Sequence, residues 1–470
     1  MSNTNDSNVL PPHIALFPSA GMGHLTPFLR VASVLLSRHC TVTLITAKPR
    51  VSAAESSHIS SFLSQNPQVK HVDFQTIPFH HSNPATTDDP FFLQFDSISR
   101  SVDLLRPLLS ASSLSPPLSA IFADLAVASS IAPVAAELGI PNYVICTSSI
   151  KFLCLAAYLP VLVADPARLG SNSTEVNIPG LTPVPISSIP PPFKDPDHLF
   201  TSTIVRNAKA LSKVSGIIVN SFDWLEQETL AAVNNGRVLN SLPPVLPIGP
   251  LRPYKTKNDT GKYLSWLDSQ PEESVVYVSF GSRTAMSRDQ IRELSKGLEE
   301  SGSRFLWVLK TSKVDKDDHK DEVKDIVGDS FIERTRNMGV VVKGWVSQEE
   351  ILQHPAIGGF VNHCGWNSVT EAARRGVPMV AWPQHGDQML NAEVVEKAGL
   401  GIWVKEWGWG AEVLVSGEEI GEKIKRVMED EKLRVMARKV GEEARKATGL
   451  DGSSEKVLME ILELLEQKRN

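Results

Sequence analysis

The stretch Gly358-Gly-Phe-Val-Asn362-His363-Cys-Gly365-Trp366-Asn367-Ser368-Val-Thr-Glu371 decides how this chain is read. Its opening run, Gly358–Val361, suits a short strand buried on both faces, as in a parallel sheet. Gly365 and the small polar residues after it begin a helix. The N–H groups of that helix's first turn lack intrahelical partners and make an anion site. His363, Asn367 and Ser368 can each donate to phosphate oxygens, and Glu371, one turn further in, can accept from sugar or ribose hydroxyls.

Two pieces frame this helix. Upstream, Gly344-Trp345-Val346-Ser347-Gln348 places a flat indole beside an amide, suited to stacking on a base and reading its edge. Taken singly, an indole there more often serves ordinary core packing. Downstream, the strand Met379–Trp382 ends in Pro383-Gln-His-Gly-Asp387-Gln388, a carboxylate and an amide of the kind that bind hydroxyl-rich ligands. Base, diphosphate and sugar are each provided for. The Walker-A loop and the Gly-x-Gly-x-x-Gly fingerprint are both missing, which disfavours NTP hydrolysis and nicotinamide redox chemistry. His354, His363, Cys364 and His385 have no regular ligand spacing, so no metal is expected.

Short Val/Ile/Phe-rich runs recur on either side. In the first half they fall at Ile14–Pro18, Val42–Thr46, Ala120–Ala123, Tyr143–Cys146 and Gly216–Asn220, and in the second at Val275–Phe280, Phe305–Leu309, Val340–Val342, Gly358–Val361 and Met379–Trp382. Strands alternating with helix-length segments predict two α/β layers in tandem, each with a parallel sheet. Leu242–Thr260, with five prolines and then a polar run, has the composition of a linker. The expected division is 1–245, a linker at 246–262, 263–450, and a terminal helix over 451–470. In that helix Val457, Leu458, Ile461, Leu462 and Leu465 share one face, which must dock somewhere. Pro179–Pro196 reads as a proline-dense loop and Ser312–Asp325 as a solvated charge run.

Bulk properties narrow the function classes. The chain has 470 residues, 42% hydrophobic and 21% charged, with a formal net charge of −6, so nothing recruits nucleic acid or an anionic membrane surface. Four cysteines without a Cys-x-x-Cys pair fit a reducing compartment. The polar start of the chain and the lack of an apolar run of about 18 residues lead to the expectation of a cytoplasmic protein. No feature requires a partner subunit, and a monomer is expected.

In open α/β sheets ligands bind beyond the carboxyl ends of the strands. After the first strand comes Ser19-Ala-Gly-Met-Gly-His24-Leu-Thr-Pro27, where glycines allow a tight turn and Pro27 suits a first helical turn. This places His24 at a helix entrance facing the cleft. A helix amino terminus disfavours the imidazolium, which favours a neutral base. Asp124 ends a neighbouring strand and can fix the histidine's tautomer. The plainer alternatives are a loop-capping histidine and, for Asp124, a helix cap. No serine or cysteine nucleophile announces itself, so the acceptor must come with the substrate.

These residues resemble the plant secondary-product UDP-glycosyltransferases. The signature box of that family is matched from Trp345 and Gln348 through His363-Cys-Gly-Trp-Asn-Ser368 and Glu371 to Asp387-Gln388, and the likeness extends to Gly23-His24, Asp124, Trp266-Leu-Asp268 and Ser279-Phe-Gly-Ser282. The resemblance implies the GT-B fold, two facing Rossmann-like domains with an inter-domain cleft, with the last helix crossing back to the first domain. It implies that Trp345 stacks on uracil, that Val346 and Gln348 contact the uridine, and that Glu371 binds the ribose. Ser282, His363, Asn367 and Ser368 would hold the diphosphate, and Trp366, Asp387 and Gln388 the sugar, with Gln388 pointing to glucose. His24 would be the base and Asp124 its partner. Ser347 departs from the proline frequent in the family. UDP-glucose is then a co-substrate, with no further cofactor and no metal.

Within the family, Asp89-Pro-Phe91, Ser279-Phe-Gly-Ser-Arg283-Thr-Ala-Met286 and Gln384-His-Gly-Asp-Gln388 most resemble the flavonoid C-glucosyltransferases. The implied reaction is inverting transfer of glucose to a phenolic acceptor such as a 2-hydroxyflavanone or dihydrochalcone, giving a β-C-glucoside. A flavonoid O-glucosyltransferase and a non-catalytic nucleotide-sugar binding module are the alternatives. Phe91, Phe92 and Thr147 are candidate acceptor contacts, and the phenylalanines equally suit the core.

Overall fold

The computed structural model describes residues 11–77, 89–110, 114–170, 173–254, 261–311, 322–410 and 412–467. Most of the charge run Ser312–Asp325, the polar end of the linker segment and the first residues before Asp89 lie outside them.

Fifteen strands are described: β1 His13–Phe17, β2 Thr41–Lys48, β3 Lys70–Gln75, β4 Ala120–Asp124, β5 Asn142–Cys146, β6 Glu175–Val176, β7 Val184–Pro185, β8 Gly216–Val219, β9 Val245–Pro247, β10 Val275–Ser279, β11 Arg304–Leu309, β12 Gly339–Lys343, β13 Ile357–Asn362, β14 Met379–Ala381 and β15 Gly401–Trp403. They form a seven-stranded sheet in the order β3-β2-β1-β4-β5-β8-β9 and a six-stranded sheet in the order β12-β11-β10-β13-β14-β15. Both are parallel throughout, with Ile14 opposite Val42 and Ala120, and Val276 opposite Phe305 and Gly359. The pair β6–β7 is a small antiparallel ribbon inside the proline-dense segment expected to be loop.

The central strands are buried along their whole length, as near-continuous apolar runs predict. Besides that ribbon, three strands of the two large sheets escaped the sequence reading. Strand β3, Lys-His-Val-Asp-Phe-Gln, is a half-exposed edge with polar alternation. Strand β15 has three residues. Strand β9 lies within the proline-rich segment read as linker, so the first sheet runs two residues past 245; its one proline, Pro247, is tolerated because it is the last strand of the sheet.

Each sheet reverses its strand order once, between β1 and β4 and between β10 and β13. Such switch points open a crevice at the strands' carboxyl ends. His24 follows β1 and Asp124 ends β4, while Gly281 follows β10 and His363 follows β13. The sequence stretches singled out above are therefore the loops at the two switch points.

The terminal helix Ser453–Gln467 buries Leu458, Ile461, Leu462 and Leu465 in the apolar core of the first sheet, with Phe28, Leu29 and Phe62. Ser454 Oγ donates to the Gly249 carbonyl, and Arg38 pairs with Glu455. Each fully buried Leu or Ile there contributes roughly 1.5–3 kcal/mol. The four cysteines are buried and free. Among the described residues no helix is long and apolar enough to cross a membrane.

Candidate active site

The two switch points face one another across a cleft of about 1810 Å³. On the first sheet's side, the glycine loop after β1 enters the helix Met22–Ser37, with Gly21 at φ +91° and its missing Cβ making room for the Phe91 ring. His24 lies in the first turn of that helix. Its Nδ1 donates to Asp124 Oδ2 at 2.8 Å, and Thr147 Oγ1 lies 3.2 Å from the same nitrogen. The ring stands edge-on to Phe95, centroids 5.1 Å apart. With Nδ1 engaged, Nε2 is the nitrogen free for chemistry. Asp124 is fully buried, and its second oxygen accepts from the Ala126 N–H at 2.8 Å. The carboxylate is both histidine partner and cap.

The helix terminus was expected to favour a neutral histidine. Burial does pull the His24 pKa down, but the charge and hydrogen bond of Asp124 more than offset it, and the net shift is upward from 6.5. Arg283 opposes this and Asp387 adds to it.

The apolar wall of the cleft is aromatic. Phe92 stacks on Phe200, centroids 4.7 Å apart, and Phe200 stacks on Phe193 at 5.4 Å. Phe91, read at first as either contact or core, is 7% exposed yet touches the cleft, where the Arg283 guanidinium lies 4.0 Å from its ring centroid and pairs with Asp89 at 2.8 Å. Thr147 and Ser148 belong to the turn before the helix Ile150–Val163. That turn is fixed by buried Glu226, which accepts from the N–H groups of Ile150 at 3.1 Å and Lys151 at 3.0 Å and from Ser221 Oγ at 2.7 Å.

On the second sheet's side, β13 leads through Cys364, at φ +61°, and Gly365 into the helix Trp366–Arg375. No side chain caps this helix, so its first-turn N–H groups face the cleft free to meet an anion. His363 packs against Gly281, where a Cβ would sit 2.6 Å from the ring; only glycine, at φ +73°, leaves it room. Burial pushes the His363 pKa down to about 4, so it is neutral near pH 7. Ser282 lines the cleft beside it, and Asn367 Nδ2 donates across the cleft to the Gly23 carbonyl at 3.1 Å.

Trp345 is 54% exposed, which rules out the core-packing alternative and leaves a free aromatic surface beside His58, centroids 4.7 Å apart. Val346 is buried behind it. The Ser347 N–H donates to Tyr263 OH at 3.2 Å, a bond that proline could not make. Gln348 Nε2 donates to Ser368 Oγ at 2.9 Å and Glu371 Oε2 at 2.6 Å, and its Oε1 accepts from Tyr277 OH at 3.3 Å.

Asp387 accepts from Ser148 of the first sheet's turn and from Asn391 Nδ2, the latter at 2.7 Å. Gln388 is turned into its own loop: Oε1 accepts from the N–H groups of Gln384 at 2.8 Å and His385 at 2.9 Å. The indole N–H of Trp366 donates to the Asn220 carbonyl at 2.9 Å, so toward a sugar this residue has its main-chain N–H to offer.

Sequence reasoning missed Arg30, Ser148, Glu226 and Asn391. Arg30 is 3% exposed and joins Glu371 and Glu349. A charge inside the apolar run Phe28-Leu29-Arg30-Val31-Ala32 was the available signal. Among the described residues no group of three His, Cys, Asp or Glu side chains is arranged to hold a metal ion.

Residues 197–439 match the family described as UDP-glucoronosyl and UDP-glucosyl transferase. The chain is 50% identical over 461 residues to UDP-glycosyltransferase 708G2 of Citrus unshiu, covering 96% of each. It is 46% identical to UDP-glycosyltransferase CGT of Oryza sativa subsp. indica, covering 99% of this chain and 98% of the relative. The crystal structure of LpCGTa in complex with UDP superposes with a TM-score of 0.84 at 45% identity, covering 97% of this chain and 99% of that one.

Proposed function

The chain belongs to the family of UDP-glucuronosyl and UDP-glucosyl transferases, a family 1 UDP-glycosyltransferase with the GT-B fold, and we propose that it is an inverting UDP-glucose-dependent C-glucosyltransferase acting on a flavonoid-type phenol. One observation carries this reading: His24, held through Nδ1 by a buried carboxylate, stands between an aromatic pocket and an uncapped helix terminus on the facing sheet. A base, a site for a flat phenol and a site for a diphosphate thus meet in one cleft.

The donor lies along the second sheet's loops. Its uracil stacks on Trp345, its ribose hydroxyls donate to Glu371, and its diphosphate takes hydrogen bonds from the first-turn N–H groups, His363, Asn367, Ser368 and Ser282. Asp387, Gln388 and the Trp366 main chain orient glucose. The phenol lies against Phe92 and Phe95 with its hydroxyl toward His24 Nε2.

His24 takes the phenol proton, and Asp124 stabilises the imidazolium that forms. The phenolate's electron pair reaches the ortho carbon, which attacks the anomeric carbon as the bond to the UDP oxygen breaks. UDP leaves with that pair. The ring carbon then gives its hydrogen as a proton to the departing diphosphate, aromaticity returns, and the imidazolium hands its own proton back to the phenolate oxygen. In-line displacement of the α-linked UDP gives a β-glucoside. Oxygen and carbon attack differ in how the ring is posed. The likeness to relatives named CGT favours carbon. The same reading gives a cytoplasmic monomer.

The test is incubation with UDP-glucose and a dihydrochalcone such as phloretin, followed by acid treatment and mass spectrometry. An acid-stable glucoside is expected. An acid-labile product would assign the O-glucosyltransferase reading, and UDP binding without turnover would assign the binding module.

A further inference from the structure

We propose that Arg30, on the helix that carries His24, is the positioning residue for the carboxylate of Glu371, so that the donor's ribose is gripped by groups from both sides of the cleft. The inference rests on the reading of Glu371 as acceptor for the ribose hydroxyls.

Arg30 is 3% exposed and Glu371 5%. Buried charges persist where they are paired. Arg30 Nη2 donates to one oxygen of Glu371 and to Glu349 Oε1 at 3.0 Å, while the other oxygen of Glu371 accepts from Gln348 Nε2 at 2.6 Å. Each Glu371 oxygen therefore has one protein donor fixing it. A carboxylate offers about four lone-pair sites, so one remains on each oxygen, the arrangement that two neighbouring hydroxyls require. Gln348 comes from the second sheet's own side; Arg30 comes from across the cleft.

The charge balance points the same way. Burial raises the Glu371 pKa, the Arg30 charge opposes this, and Glu349 raises it further. Without Arg30, the buried Glu371 carboxylate stands beside the partly exposed Glu349 with no cation bonded to it, which favours its protonated form. A protonated Glu371 donates where it must accept. Phe28, Leu29 and Val31 around Arg30 are all buried apolar residues, so packing alone supplies no reason for a guanidinium there.

The experiment is titration calorimetry with UDP and with 2′,3′-dideoxyuridine diphosphate, which lacks both ribose hydroxyls, on the wild type, Arg30→Met, Glu371→Ala and the double variant. Arg30→Met is expected to weaken UDP roughly tenfold or more, the scale of one charge-assisted hydrogen bond. It leaves the dideoxy nucleotide unchanged and adds nothing on the Glu371→Ala background. Equal losses for both nucleotides, additive losses in the double variant, or unchanged UDP affinity would overturn the proposal. Arg30→Lys keeps the charge and is expected to retain part of the discrimination. If Arg30→Met does not fold, the same comparison is made with Arg30→Lys, and undiminished discrimination there overturns the role of the guanidinium. A wild type that binds both nucleotides equally would refute the reading of Glu371 itself, and one that binds neither would refute the donor site.

Discussion

Asp124 divides its two oxygens between two elements: Oδ2 accepts from the His24 Nδ1–H at 2.8 Å and Oδ1 from the Ala126 N–H at 2.8 Å. The carboxylate is thus fixed by its own chain before it fixes the histidine. His24→Ala is expected to lower kcat/KM by roughly 10²–10⁴-fold, the usual worth of a general base. Asp124→Asn should fall in the same range while UDP affinity stays at the wild-type value. Steady-state kinetics beside calorimetry checks both, and wild-type turnover by His24→Ala would refute the base.

The upward shift of His24 sets the pH dependence. The free base exists above the raised pKa, so kcat/KM falls as the pH drops through a value higher than 6.5. Asp124→Asn removes the main upward influence and moves that acid limb to lower pH. For stability the sign is opposite. The ion pair's contribution is complete below the unfolded pKa and is lost as pH rises through the folded one. Rate profiles and thermal melts across pH 5–9, roughly the window around an ordinary histidine, test both.

Trp345 offers its indole to solvent and has little packing to lose. Trp345→Ala is expected to weaken UDP by about 1–3 kcal/mol, the worth of one base–aromatic stack, with an unchanged melting temperature. Loss of stability with intact UDP binding would return this residue to a packing role.

Gln388 braces the loop that carries Asp387. Gln388→Ala removes the shared acceptor of the partly buried Gln384 and His385 N–H groups, and is expected to cost about 1–3 kcal/mol of stability in all. It should raise KM for UDP-glucose as well. Gln388→Glu keeps the acceptor oxygens and should restore the melting temperature more than it restores KM.

The parts of this fold that could be read in the chain are those whose information is local. The strands buried on both faces announce themselves as apolar runs, and the donor loops carry their chemistry in consecutive residues from Trp345 to Gln388. What was hidden depends on distant partners. Strand β3 is polar because one face meets solvent, and β9 sits among prolines that only an edge position excuses. Ser148 acquires a role only when Asp387 arrives from the other sheet. Arg30 looked like one charge on a helix until Glu349 and Glu371 closed on it. For His24 both influences were visible, the helix terminus and the neighbouring Asp124, and which of them prevails depends on the 2.8 Å contact that the fold sets.

The docking of Ser453–Gln467 on the first sheet means that the polypeptide passes between the two halves twice, once after β9 and again after the helix Glu431–Ala447. A body tethered at one point swivels freely, whereas two crossings restrain twisting of one half against the other and help hold His24 opposite the helix Trp366–Arg375.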